Sequence, residues 1–419
     1  MATTLKSGEQ IAVFMELGFP VDVFTLDSAT DGVLNSDYLD GTLIGDDVSP
    51  YIQNLSIARG RSSQLDQFSA GRCTVELLNN DRRFDPINES SPYWDPITER
   101  TGILPRRKVT VQLNGIDVYV GRIADIDVNY DFNNLSTVTV SVVDDFVLLA
   151  NAFTSTAFTP TEELSGARVT SILDRTEISY PAATRDISTG TTTLGAYQVD
   201  ANTNALSYLQ QCAEAERGLF FIAANGDLTF TDRVDSQFVP AIVTTFSDTG
   251  SDIPYQSLDV IYGQEFLYNR IQVTRDGGTQ QVADDNASQT EFGISTYALD
   301  NALFASDTQA LALADSLLSE FSEPRYRFDN IRVNLTGLSN IDRDVVNALE
   351  IGDIIEITRT YSTGTPASVT QPYAIERIAH SLTAGAHVIE FGLRFATLVF
   401  QFILNDATYG VLDADNALV

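Results

Sequence analysis

The chain has 419 residues, 43% of them hydrophobic and 10% aromatic. That is the make-up of a folded protein with several buried cores, not of a disordered one. Its 57 acidic and 25 basic side chains leave a formal net charge of −32 at pH 7, and the only lysines are Lys6 and Lys108. Such a surplus of carboxylates argues against nucleic-acid binding, which needs cations to neutralise phosphates, and against docking on an anionic membrane.

Residues 1–50 are rich in Asp and Gly, with isolated aromatics at Phe14, Phe19, Phe24 and Tyr38, and read as an N-terminal arm. Glu16 and Pro20 interrupt the apolar run and no basic segment precedes it, so no secretory leader is expected. From 51 to 150 the apolar period is two. Leu55 and Ile57 alternate with polar neighbours until Arg59-Gly60-Arg61 breaks the pattern. A polar loop reaches Gly71, and Cys73, Val75 and Leu77 then alternate into the turn cluster Asn79-Asn80-Asp81. Pro86, Pro92, Pro96 and Pro105 mark a long loop. Strands from Val109 and from Asp117 flank Asn114-Gly115, a pair suited to a type I′ hairpin turn. Val138, Val140 and Val142 continue the strand pattern.

Helical spacing takes over in 151–250. Leu164, Ala167, Val169, Ile172 and Leu173 recur on one face between Glu162 and Glu177. Thr203 is a candidate cap for a helix presenting Leu206, Leu209, Cys212 and Ala213 and stopped at Gly218. A hairpin through Asn225-Gly226 follows, completing a small α/β unit. Strands return from about 255, with Ile271 and Val273 between polar neighbours. The spacing predicts a helix over 307–321, capped by Asp307, with Ala310, Leu311, Ala314, Leu317, Leu318 and Phe321 on one face and Pro324 behind it. Further strands begin at Ile331, Ile354, Tyr373 and His387, with turns at Gly352-Asp353 and Ala384-Gly385. The expected fold is mainly β with an α+β insertion. Two β-barrel domains, 51–150 and 251–400 (the second with a helical insertion), are separated by a small α/β domain at 151–250 and followed by a tail at 401–419. The apolar run from Phe395 to Leu404 is about half the length of a bilayer span, so no membrane insertion is expected.

Catalytic patterns are missing. Cys73 and Cys212 sit in apolar patterns and read as buried free thiols rather than a disulfide. His380 and His387 lie on consecutive strands around Gly385 and could face each other, but no metal-ligand spacing accompanies them. No Gly-x-Ser-x-Gly elbow, Walker loop or dinucleotide fingerprint occurs. The pairs Asp46-Asp47, Asp144-Asp145 and Asp284-Asp285 follow from composition. The stretch DSATDGVLNSD from Asp27 is the nearest approach to a calcium loop, and it lacks the Asp-x-Asp-x-Asp-Gly core, so turn chemistry is the reading there. No catalytic residue, metal or cofactor is expected. Phe24–Asp37 reappears as Phe402–Asp415 at its Leu, Ala-Thr and Gly-Val-Leu positions, as a docking element or a reused turn. Arg59, Arg61, Arg72, Arg82 and Arg83 lie among Asp66, Asp81 and Asp85. Their directional forks suit fixed pairing within the domain or between subunits. Arg59, Arg61, Arg72, Arg82, Arg83, Asp66 and Asp85 are therefore candidate intersubunit contacts.

Four stretches in order carry a resemblance. They are RGR…AG…VELLNNDRRFDP between Arg59 and Pro86, ALSYLQQCAEAERGLFFIAANGDLTFTDR from Ala205, YGQEFLYNRIQV from Tyr262, and LEIGD from Leu349. From about 50 to 395 the chain resembles the hub minor tail proteins of tailed phages or archaeal tailed viruses. The resemblance implies a homotrimer whose two barrels per copy form a pseudo-sixfold ring. Such a ring joins the sixfold tail tube or distal-tail ring protein to the tip and encloses a channel for DNA and the tape-measure protein. It implies a protein made in the host cytoplasm and placed in the virion at the tail tip. It implies no enzyme, because the lysozyme or peptidase domain many hubs carry has no counterpart here. The terminal segment, with Phe400, Phe402, Leu404, Val411 and Leu412, is a candidate dock for a central fibre or spike protein. The acidity reads as solubility or salt adaptation, or as a lumen lining that repels passing DNA. Two alternatives are a hexameric distal-tail ring, which needs one barrel per copy, and a carbohydrate-binding tail-tip adhesin using Tyr51, Tyr93 and Trp94.

Overall fold

The computed structural model describes residues 3–4, 8–19, 45–132, 135–233, 242–250, 252–396, 400–401 and 416–417. Its first β block comprises β1 (Gln10–Met15), β2 (Ile52–Gly60), β3 (Ser69–Leu78), β4 (Lys108–Leu113), β5 (Ile116–Tyr130) and β6 (Ser136–Val143). They hydrogen-bond in the order β1-β4-β5-β6-β3-β2, each neighbour antiparallel. Period two places one set of side chains inside: Leu55, Ile57, Cys73, Val75, Leu77, Val109, Val111, Val138, Val140 and Val142 share one buried cluster. The β4–β5 turn has Asn114 at φ 51° and Gly115 at φ 82°, as a type I′ turn requires.

The arm expected over residues 1–50 needs correction at both ends. Strand β1 pairs with β4 from Ile11↔Leu113 to Met15↔Val109 and buries Ile11, Val13 and Met15. The alternation QIAVFM carries that signal, but the Asp/Gly-rich surroundings conceal it. Val48 also joins the first core.

The middle unit holds α1 (Phe146–Ala150), α2 (Ser165–Leu173), β7 (Arg185–Ile187), α3 (Ala205–Glu216), β8 (Leu219–Ile222) and β9 (Leu228–Thr231). Asn204, not Thr203, caps α3, accepting from the Ser207 amide at 3.0 Å. Arg217 ends the helix at φ 55°, and at Gly218 a Cβ would stand 2.2 Å from the Thr231 carbonyl oxygen. Glu216 is fully buried and accepts from Ser165 Oγ at 2.6 Å, Thr191 Oγ1 at 2.7 Å and the Thr192 amide at 2.8 Å. The Ala-Glu-Arg-Gly run therefore ties the helix end to a loop and opens the β8–β9 hairpin.

The second β block comprises β10 (Ile242–Ser247), β11 (Ser257–Ile261), β15 (Arg327–Asn334), β16 (Ile354–Thr360), β17 (Ser368–Thr383) and β18 (Ala386–Phe395). Its order is β10-β16-β17-β18-β15-β11. Strand β10 runs parallel to β16, a partner more than a hundred residues away, and so belongs to this block rather than to the middle unit where it was expected. The helical insertion is larger than expected. Strands β12 (Arg270–Arg275), β13 (Gln281–Asp284) and β14 (Thr296–Ala302) form their own sheet, covered by α4 (Asp307–Phe321). Ile271 and Val273 thus serve this small sheet, not the large one. Ser306, one residue before the expected cap, forms a capping box with Gln309. A last helix, α5 (Asn340–Asn347), is capped by Ser339.

The fold is mainly β, as its sequence periods require. The two β blocks, however, are joined edge to edge: β2 pairs antiparallel with β17 from Gly60↔Arg377 to Asn54↔Thr383. One 14-stranded sheet results. The first block has its own core, while the middle unit and second block share another.

Candidate functional site: the Arg-Gly-Arg junction

The β2–β17 ladder brings the Arg59-Gly60-Arg61 run into contact with all three units. Arg59 is 5% exposed and reaches through the sheet to Glu350, with Nη1–Oε1 at 2.8 Å. Glu350 also accepts from the Ala224 amide at 2.7 Å, which binds the β8–β9 turn to the same carboxylate. Gly60, at φ 107°, lets the chain pass flat against β17: a Cβ there would lie 2.2 Å from the Glu376 carbonyl oxygen. Arg61 turns back to pair with Glu376, whose other oxygen accepts from Arg394 Nε at 2.7 Å. The Arg61 guanidinium also lies 4.7 Å over the Phe68 ring. Burial alone would raise Glu376, but Arg61 and Arg394 hold its carboxyl below the usual range.

Two more buried polar groups flank the junction. Asp144 accepts from the amides of Gly71 at 2.5 Å and Phe146 at 3.0 Å, yet burial pushes its carboxyl up to about 7. On the other side His380 Nδ1 lies 3.2 Å from His387 Nε2, as their flanking of Gly385 suggested. His387 Nδ1 in turn lies 3.0 Å from both oxygens of Glu9, which also accepts from Asn347 Nδ2 at 3.1 Å. This chain runs from the lead-in to β1, through the β17–β18 hairpin, to α5. It is a packing device with no metal geometry, and among the described residues no group of three His, Cys, Asp or Glu side chains could hold an ion.

Burial, reinforced by His387 and then Arg59, depresses the His380 pKa well below 6.5. The unfolded chain therefore binds a proton below about 6.5 that the native state refuses, so stability falls as pH drops through that value. Lowering the pH from 7.5 to 5.5 should cost the wild type about 1 kcal/mol through this group, and His380→Gln should flatten that part of the profile. Denaturant midpoints across the pH range measure it, and equal slopes for both proteins would refute it.

The remaining candidates separate cleanly. Asp85 is buried and takes Arg82 Nη2 at 2.7 Å together with the Tyr130 hydroxyl. Arg83 pairs with Asp81 at 2.8 Å and stacks 4.4 Å over Tyr51. Arg82 and Arg83 thus pair with carboxylates of the first block, and Arg59 and Arg61 with carboxylates of the second block of the same chain. Arg72 and Asp66 are exposed. Tyr51 and Tyr93 bracket Phe84 at ring distances of 5.3 and 6.0 Å and pack on the first core, while Trp94 is half-buried in a short strand pair with Thr101. These aromatics anchor the long proline-bearing loop rather than forming an open binding face. Phe400 lies in a two-residue strand parallel to Asn416–Ala417. Phe402, Leu404, Val411 and Leu412, the Asp27–Asp37 stretch and the repeat pairing Phe24–Asp37 with Phe402–Asp415 lie outside the described residues. Glu350, Glu376 and Arg394 were missed, although Glu350 sits within the quoted LEIGD motif. No helix among the described residues is long and apolar enough to cross a membrane.

The architecture has counterparts among solved structures. The 43 kDa tail protein of prophage MuSo2 from Shewanella oneidensis matches with a TM-score of 0.55 over 92% of this chain and 97% of its own, at 13% identity. This is a tail-protein fold. A tail protein from Neisseria meningitidis MC58 matches with a TM-score of 0.58 over 92% of this chain and 96% of its own, at 10% identity. No protein-family model matches the sequence, and no curated protein does. At these identities the likeness is one of fold, and the tail-protein fold extends across all three units rather than one of them.

Proposed function

We propose that the chain is a structural hub of a tailed virus, located in the virion at the tail tip. Three copies would present two β blocks each, giving six similar surfaces that join a sixfold tail tube or distal-tail ring protein to a threefold tip. The ring would enclose the channel for DNA and the tape-measure protein, and the terminal segment would recruit a central fibre or spike. The observation that carries this reading is the β2–β17 ladder, locked by Arg59 and Arg61, within a tail-protein fold. Six equivalent surfaces arise from three chains only if the two blocks of each chain keep one relative orientation, and a continuous sheet with buried ion pairs enforces that. Exposed Arg72 and Asp66 stand on the same block as candidate contacts between copies.

Light scattering of the purified protein across a salt series tests the proposal. The expected mass is three times the 45.8 kDa chain. The trimer should strengthen with salt, because screening relieves repulsion between chains of charge −32. A hexamer would favour a distal-tail ring instead.

A further inference from the structure

A pocket of about 100 Å³ lies where the three units meet, walled by the polar loop after Arg61, the end of α3, the start of β8, β14 and α4. Its apolar part comes from Leu65, Leu219, Leu299, Leu313 and Leu317. The loop wall is pinned in place. Gln210 Nε2 donates to the Phe68 carbonyl at 2.8 Å, and Gln64 Nε2 donates to Glu320 at 3.2 Å. Gln210, Ala213 and Glu214 recur at i, i+3 and i+4 of α3, so one face of that helix forms the opposite wall.

Glu214 is the uncompensated group of this pocket. It is half-buried, and its carboxylate makes no hydrogen bond or ion pair among the described residues. It stands in the last turn of α3, where the helix dipole opposes a negative charge. Burial raises its carboxyl above its ordinary value, and no cation pulls it back. Three guanidiniums share the wall but are engaged with carboxylates outside it: Arg61 and Arg394 with Glu376, and Arg217 with Glu320 at 2.7 Å. The Tyr297 hydroxyl, from β14, also makes no hydrogen bond among the described residues. Burial and then the charge of Glu214 raise that hydroxyl above its ordinary value, so the two side chains stand near each other.

These features define a ligand. An ammonium group offers three N–H donors, enough for the Glu214 carboxylate and the Tyr297 oxygen. It would also complement the C-terminal end of α3. The leucines suit a methylene stem. A pocket of this volume holds about four heavy atoms, the reach of a lysine side chain beyond Cβ. The three guanidiniums on the wall disfavour a second positive centre, so the fitting ligand is a monocation.

We propose that the pocket binds a single primary alkylammonium group, the chemistry of a lysine side chain, with Glu214 as counter-charge and Tyr297 as second acceptor. Occupancy bridges α3 of the middle unit to β14 of the insertion. The proposal goes beyond the hub reading and does not rest on it.

The test titrates n-butylamine into the full-length protein, with binding followed by ligand-observed NMR. The pH is about 8, where the amine is an ammonium. Salt is about 0.3 M, to screen diffuse attraction to a chain of net charge −32. Saturable binding is expected with a dissociation constant on the order of millimolar. Glu214→Gln should weaken it about tenfold or more, and Tyr297→Phe less. Glu214→Gln should not lower the melting temperature, because it removes a charge that nothing in the fold compensates. n-Butanol, with the same stem and no charge, should bind at least about tenfold more weakly than n-butylamine. Equal affinity of wild type and Glu214→Gln, or no saturable binding of n-butylamine, would overturn the proposal. n-Butanol binding as tightly as the amine would reduce the site to an apolar pocket and overturn it as well. Putrescine binding more tightly than n-butylamine would assign the pocket to a dication, against the proposal.

Discussion

Gly60→Ala is expected to be among the most damaging single substitutions in the protein, costing more than about 3 kcal/mol. Two effects combine at this residue. The backbone sits at φ 107°, where a side chain is strained. A new Cβ would also stand 2.2 Å from the Glu376 carbonyl oxygen and 2.7 Å from Arg377 Cα, and backbone cannot swing away as a side-chain tip can. Relief requires β2 to lift off β17, which breaks the ladder joining the two β blocks. Gly277→Ala is the control: φ is 63° and nothing lies within 4 Å of its Cβ, so only the conformational cost of about 1 kcal/mol applies. Denaturant midpoints compare the two variants. Limited proteolysis should show new cleavage in the polar loop after Arg61 for Gly60→Ala only. A midpoint for Gly60→Ala within 1 kcal/mol of the control would mean the ladder is not what fixes the blocks together.

Glu376→Ala is the second substitution with a large expected effect, about 3–5 kcal/mol. Glu376 is 4% exposed, and its carboxylate neutralises both Arg61 and Arg394. Removing it leaves two guanidinium groups partly buried without their counter-charge, a costlier state than the intact cluster. Glu376→Gln preserves shape and one acceptor and should cost less. A double-mutant cycle with Arg61→Met should return a coupling above about 1 kcal/mol, since the two side chains touch. The pH dependence has the opposite origin to that of His380. Arg61 and Arg394 depress the Glu376 pKa, so its contribution is fully present above about 4.3 and is lost as the pH falls through the lower native value. Glu376→Gln should lack that acid limb. Additive single-mutant costs would show that the two residues act independently.

Legibility in the sequence followed the range of the interaction. The helix over 307–321 was placed to the residue because its 3.6-residue apolar face is a local property, and the Asn114-Gly115 hairpin because its turn needs two positive φ angles. Caps moved by one residue, from Thr203 to Asn204 and from Asp307 to Ser306, where adjacent polar residues offer the same chemistry. Strand β10 went to the wrong unit because its parallel partner lies far along the chain. The arginine-rich run stood out by its spacing, but the carboxylates that Arg59 and Arg61 meet lie about three hundred residues further along the chain, beyond the reach of any local pattern.

By itself the sequence determined the mainly β character, the helix-bearing insertion, the turn positions and the lack of any recognisable catalytic motif. These rest on periodicity and on residues with special backbone angles, which act over a few residues. Only the tertiary structure decided that two β blocks become one sheet, that Arg59 meets Glu350 across 291 residues and that Arg61 meets Glu376 across 315. Those pairings depend on which strand edges meet, and an edge offers the same row of N–H and C=O groups to any partner. The choice is made by burial on both sides of the seam at once.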